Sequence, residues 1–165
     1  MKEQGRAWKF GDGISTDHIA PGRFYHLRSN LEELAKYVLI EAREDSPGAV
    51  QPGDFVVAGS NFGLGSSREH AAIVIKLAGV RAVLAKSFAR IFYRNAINVG
   101  LPVLVCDTDE IGDGDRLVLD MADSVLSNET SGKRIECQPV PAFMREILHA
   151  GGLVDYIKKH GGFRR

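Results

Sequence analysis

Two cysteines, Cys106 and Cys137, are all that the 165 residues contain, and no C-x-x-C unit brings them together. The chain by itself therefore supplies neither a tetrahedral zinc site nor the thiolates of an iron-sulfur cluster. As solitary thiols they read as small core residues in a reducing compartment. Excess charge is missing too. The 21 Lys and Arg balance 21 Asp and Glu, so no long-range field gathers nucleic acid or an anionic membrane. No apolar run approaches the roughly 20 residues that span a bilayer. Met1 to Gly11 lacks the apolar core of a signal peptide, and a cytoplasmic location is expected. His26, His70, His149 and His160 show no metal-ligand spacing, so no metal site is expected on this chain.

What the chain does have is glycine, 18 residues of it, which points to loops where backbone comes close to something else. The length suits a single domain over 1–165, with 161–165 as a frayed tail. Ala7 to Phe10 reads as a short strand entering a Gly11-Asp12-Gly13 turn, and Ser15 to Gly22 as an ordered loop. Leu31 to Ile40 carries apolar residues at helical spacing behind Asn30, a natural N-cap. Asp54 to Ala58, Val80 to Ala85 and Pro102 to Cys106 read as strands. Arg68 to Ala78 and Ser87 to Val99 read as the helices between them. This βαβαβ order predicts an α/β fold with a parallel sheet layer flanked by helices. Arg116 to Asp120 and Arg134 to Cys137 follow as shorter strands around a polar stretch, Ser127 to Gly132. Ala142 to His149 and Leu153 to His160 close the chain as helices.

The most informative stretch runs from Gly59 to His70, GSNFGLGSSREH, where a strand hands over to a helix. Free backbone N–H groups and the positive end of the helix dipole converge at such a place, and the glycines admit a ligand to the main chain. Neither nucleotide motif fits. The loop lacks the Lys of a phosphate-binding G-x-x-x-x-G-K-[ST], and Arg68 stands where a dinucleotide fingerprint needs Gly. On spacing alone, Ser66 serves equally well as a helix cap in a capping box with Glu69. Arg68 tips the balance, since the dipole disfavours a cation in the first turn and an anionic ligand would account for it.

Gly65-Ser66-Ser67-Arg68-Glu69-His70-Ala71-Ala72, Lys86-Ser87-Phe88-Ala89-Arg90-Ile91 and Thr16-Asp17-His18-Ile19 with Pro21 together resemble the swivelling domain of the family of aconitase, homoaconitase and isopropylmalate isomerase. The resemblance spans Gly11 to Leu104, and the short chain looks like the small subunit of the archaeal-type, two-subunit enzymes. It implies a β/β/α swivelling domain that works only beside a large subunit, in a heterodimer or heterotetramer. It also implies a hydro-lyase reaction, in which water leaves a hydroxy acid and is added back. One iron of a [4Fe-4S] cluster held by the large subunit would act on the leaving hydroxyl. Ser66 matches the family's catalytic base, and Ser67 and Arg68 match ligands of a substrate carboxylate. A serine anion of that kind needs a helix N-terminus and cations around it to be useful.

The segment Gly22 to Ser29 matches the loop that contacts the variable group of the substrate. With Arg28 inward, a bidentate guanidinium favours a further carboxylate, as in homocitrate or citrate. With Phe24, Tyr25 or Leu27 inward, an aliphatic group such as isopropyl fits. Asp17 is expected to support the Ser66 loop without touching substrate. The expected function is thus the small subunit of an isopropylmalate dehydratase, a lyase of leucine biosynthesis. Homoaconitase or a methylated-malate dehydratase is the alternative, and a stand-alone anion- or RNA-binding module is the alternative of another class.

Overall fold

The computed structural model describes residues 2–46, 48–66 and 69–161, the side chain of Glu69 excepted. Four parallel strands form one half of its sheet: β1 (Lys2–Lys9), β2 (Phe55–Val57), β3 (Ala82–Ala85) and β4 (Val103–Val105). Three antiparallel strands form the other half: β5 (Arg116–Asp120), β6 (Val125–Asn128) and β7 (Lys133–Glu136). The spatial order is β4-β3-β2-β1-β5-β6-β7. β1 belongs to both halves. Ala7 to Lys9 pair with Phe55 to Val57 in parallel, while Lys2 to Arg6 pair with Arg116 to Asp120 in antiparallel register.

Alternation along the parallel strands explains the layering. Trp8, Val56, Val83, Ala85 and Val103 face one way and pack with Ala71, Ile75 and Ala96 of the helices. Ala7, Phe55, Val57, Ala82 and Leu84 face the other way, against Leu117, Leu119, Leu126 and Ile135 of the antiparallel half. Strands apolar on both faces are what a sheet covered on both sides requires. The antiparallel half therefore curls back over the parallel one, and the helices cover the opposite face: a β/β/α sandwich. Each fully buried large side chain contributes about 1.5–3 kcal/mol. The covering helices are α3 (Glu69–Leu77), α4 (Arg90–Val99), α5 (Ala142–Ala150) and α6 (Leu153–His160). None of the described helices is long and apolar enough to cross a membrane.

The structure alters several expectations. The short strand expected over Ala7 to Phe10 runs instead from Lys2 to Lys9, and the helix expected from Ser87 begins at Arg90. The Ser15 to Gly22 loop contains a short helix, α1 (Thr16–Ile19). The helix expected over Leu31 to Ile40 is only α2 (Leu31–Ala35), after which the chain runs through turns. Its apolar positions are still inside: Leu34, Ala35, Val38 and Leu39 are all buried. Leu39 has φ of 61°, which ends any helical path. Finally, part of the polar stretch Ser127 to Gly132 belongs to β6. Asn128, 1% exposed, looked like a loop residue but is held inside by bonds to Glu110 O and Asp115 Oδ2.

Candidate active site

All three connections that leave β1, β2 and β3 emerge at the carboxyl edge of the parallel strands, where open α/β sheets bind their ligands. There they are sewn together through the main chain. Gly59 N–H donates to Gly11 O, Gly13 N–H to Ser60 O, Gly63 N–H to Ile14 O and Thr16 N–H to Leu64 O, at 2.7–3.1 Å. On the other flank Lys86 N–H donates to Gly59 O, Phe62 N–H to Ser87 O and Ala89 N–H to Phe62 O, at 2.9–3.0 Å. Side chains add two more ties: Asp12 Oδ1 accepts from Ser60 N–H at 2.7 Å, and Ser87 Oγ accepts from Asn61 N–H at 2.8 Å. The Lys86-to-Ile91 motif thus has a physical task that its sequence did not disclose: it cradles the glycine loop. Phe62, fully buried, plugs the loop into the helix layer through edge-on contacts with Phe88 and Phe92 at 6.0 and 5.2 Å. Such aromatic pairs add about 0.5–1.5 kcal/mol each beyond burial.

The glycines follow from this tight course. Gly63 has φ of +85°, and a Cβ there would lie 2.2 Å from Phe92. Gly65 has φ of +105°, and its Cβ would stand 3.3 Å from Thr16 Oγ1. Only glycine satisfies both demands at low strain.

At the end of this loop Ser66 is exposed, just ahead of the described start of α3, and its Oγ lies 3.3 Å from Thr16 Oγ1. Thr16 itself is buried, 3% exposed. It was part of the Thr16-to-Ile19 motif, but nothing in the sequence alone indicated that its hydroxyl would meet Ser66. Ser67 and Arg68 lie outside the described residues. Asp17 is exposed, and its Oδ1 accepts from Gly22 N–H at 2.9 Å, which turns the chain into the 3-10 turn Gly22–Leu27. His18 closes a capping box with Ser15: Ser15 Oγ accepts from His18 N–H at 3.1 Å, and His18 Nδ1 accepts from Ser15 N–H at 2.9 Å.

The Gly22–Leu27 turn lays a small polar shelf beside the start of α3. Phe24 turns away from it, stacking on Tyr37 at 4.2 Å, and Leu27 packs against the core. Tyr25 is half exposed, with its ring 6.4 Å from that of His70 in the first turn of α3. Arg28 lies over the Tyr25 ring at 4.4 Å and donates from one guanidinium nitrogen to Tyr25 O at 3.2 Å. It is exposed and has no acidic partner among the described residues. Tyr25 and Arg28 are thus open to a ligand, as are the exposed His26 and Ser29. The cavity of about 450 Å³ bordered by Glu3, Lys76 and Arg81 opens at the opposite edge of the sheet.

Both cysteines are buried, and the neighbouring Cys137, together with burial, holds the Cys106 thiol above its ordinary pKa. Among the described residues no group of three His, Cys, Asp or Glu side chains is placed to hold a metal ion. The donor set of the described residues does not fit an iron-sulfur cluster.

Comparison with known proteins narrows the reading. The family model described as the aconitase C-terminal domain matches residues 41–108, which contain β2 to β4 and the whole glycine loop. The chain is 62% identical over 164 residues to "3-isopropylmalate dehydratase small subunit 2" of Archaeoglobus fulgidus, covering 99% of both chains. It is 63% identical over 161 residues to "3-isopropylmalate dehydratase small subunit 1" of Thermotoga maritima, covering 97% of each. Among solved structures, a 3-isopropylmalate dehydratase (leuD) from Methanocaldococcus jannaschii superposes with a TM-score of 0.94 at 49% identity, covering 98% of this chain and 96% of the other. Aconitase X of Thermococcus kodakaraensis, at 16% identity and a TM-score of 0.51, shares the fold alone.

Proposed function

Because the chain belongs to the family of 3-isopropylmalate dehydratase small subunits, we propose that it forms half of a hydro-lyase active site that is completed by a large subunit. The observation that carries this reading is an exposed serine at the carboxyl edge, at the end of a loop whose residues Gly59 to Leu64 are held by main-chain bonds to the connections on both sides. A site of this shape suits closure by a second body, which would exclude water from the reacting atoms.

In this reading Ser66 Oγ takes the proton from the carbon beside a substrate carboxylate. Ser67 and Arg68 hold that carboxylate, where the charge developing on it meets donors already in place. Asp17 fixes the turn that carries the substrate-facing segment. The hydroxyl leaves on the side of the partner, whose [4Fe-4S] cluster would serve as the Lewis acid. The substrate is 3-isopropylmalate, and the location is the cytoplasm.

A second reading, a hydroxy tricarboxylic acid such as homocitrate, is favoured by one observation. Arg28 is exposed, stacked on Tyr25, and lacks an acidic partner among the described residues. A guanidinium held this way suits a further carboxylate, whereas the Tyr25 ring suits an isopropyl group. The deciding measurement is an anaerobic assay of the purified chain mixed with its large partner against isopropylmalate, homocitrate and citrate. Turnover of isopropylmalate only on mixing supports the main reading. Preference for homocitrate selects the second, and equal rates on all three defeat any role for Arg28 in selection.

A further inference from the structure

The geometry points to Thr16 as the positioning residue for the base: its hydroxyl donates a hydrogen bond to Ser66 Oγ and favours the deprotonated form of that oxygen. This rests on the reading of Ser66 as the base.

Thr16 is unusually well placed for the task. Its N–H is bound to Leu64 O and its carbonyl accepts from Ala20 N–H, both at 2.9 Å. The residue is therefore fastened to the glycine loop on one side and to its own helical turn on the other. As the first residue of α1 it has no preceding helical turn to accept its hydroxyl, the usual fate of a threonine inside a helix. The partner the structure gives that hydroxyl is Ser66 Oγ. Approach is possible because Gly65 passes over Thr16 without a side chain, leaving room for the 3.3 Å contact to shorten. Thr16 is buried, as are Ile19 and Ala20 of the same turn, whereas Ser66 is exposed, so the contact joins a buried hydroxyl to a residue open to solvent.

The distance between the two oxygens, 3.3 Å, is long for a neutral hydroxyl pair, whose usual separation is about 2.7–2.8 Å. An O–H donated to an anionic oxygen contracts to about 2.5–2.7 Å and is roughly twice as strong. The contact is therefore worth least when Ser66 is a neutral hydroxyl and most when it is charged. A donor of this kind lowers the pKa of its partner. Its loss should raise that pKa and move the acid limb of the rate profile to higher pH.

The test uses the reconstituted two-subunit enzyme. Thr16→Val keeps the shape and removes the hydroxyl, and Thr16→Ser keeps the hydroxyl and removes the methyl. Thr16→Val should lower kcat about tenfold or more with KM within about threefold, and shift the acid limb upward by about one pH unit. Thr16→Ser should restore most of the rate. Undiminished kcat and an unmoved limb in Thr16→Val overturn the proposal, as does an equal loss in Thr16→Ser, which would assign Thr16 to packing. Should Thr16→Val fail to fold, Thr16→Ala is read against Thr16→Ser by the same criteria. Adding Thr16→Val to Ser66→Ala should have no further effect on any residual rate; a further loss of similar size overturns the proposal. If Ser66→Ala alone leaves the rate intact, it is the role of Ser66 that fails.

Discussion

The glycine loop and the Gly22–Leu27 segment flank the same site and are built in opposite ways. From Gly59 to Leu64 the loop is bonded through its main chain to the connections of two neighbouring strands. The segment from Pro21 to Asn30 closes mostly on itself: Phe24 N–H donates to Pro21 O, Arg28 N–H to Tyr25 O and Asn30 N–H to Leu27 O. Its ties to the rest of the molecule are largely side-chain stacking, Phe24 on Tyr37 and Tyr25 near His70. Main-chain bonds do not depend on which side chains are present, whereas stacking does. The first construction suits a step common to every substrate. The second suits a choice among substrates that a few substitutions can reset.

The largest effect should come from the end of the sewn loop. Ser66→Ala should lower kcat of the reconstituted enzyme by about 10²–10⁴-fold, the range for loss of a general base, with little change in the melting temperature. A retained rate would break the assignment of chemistry to this loop. Next, Gly63→Ala should destabilise the chain by about 2–4 kcal/mol, because the left-handed backbone and the collision with Phe92 act together. Thermal or urea unfolding measures this, and a neutral outcome would mean that the loop gives way more easily than its bonds imply. On the other side, Arg28→Ala should leave stability unchanged and shift the ratio of kcat/KM between homocitrate and isopropylmalate by about tenfold toward isopropylmalate. An unchanged ratio would remove the contrast between the two regions.

The smallest effect is expected where the variable segment rejoins the sheet. Arg43 packs over the Trp8 ring at 4.7 Å and pairs with Asp45 and Asp113, each at 2.7 Å. The Arg43 guanidinium holds the Asp113 carboxyl below its usual pKa. A folded-state pKa lower than the unfolded one means that the stabilisation is present at neutral pH and lost as pH falls through the lowered value. Solvent screens the pair, so Asp113→Asn should cost under about 1 kcal/mol. The cost should vanish in melts run in strong acid.

Much of this architecture was legible because the signals were local. β-branched runs alternating with helical spacing gave the parallel layer, and the glycine-rich handover pointed to the candidate site. What escaped was set by distant partners. β6 is only four residues long and ends in a buried asparagine whose amide nitrogen donates to Glu110 O and Asp115 Oδ2. No pattern within β6 announces them. The early end of α2 likewise rests on Leu39 N–H reaching Ile19 O at 3.1 Å. The site shows the same division. Ser66 could be named from its motif, while Thr16 and Ser87, 50 and 21 positions away along the chain, acquire their tasks only when three strand ends meet.

The double membership of β1 governs the order in which the molecule can assemble during synthesis. Its second half can join β2 as soon as residues near 57 have emerged, but its first half waits for β5, more than 100 residues downstream. Pairings this far apart in sequence form slowly. A ribosome-bound chain would therefore carry a half-matched first strand until the last third of the protein is made, and its bare edge is where a nascent-chain chaperone would be most useful.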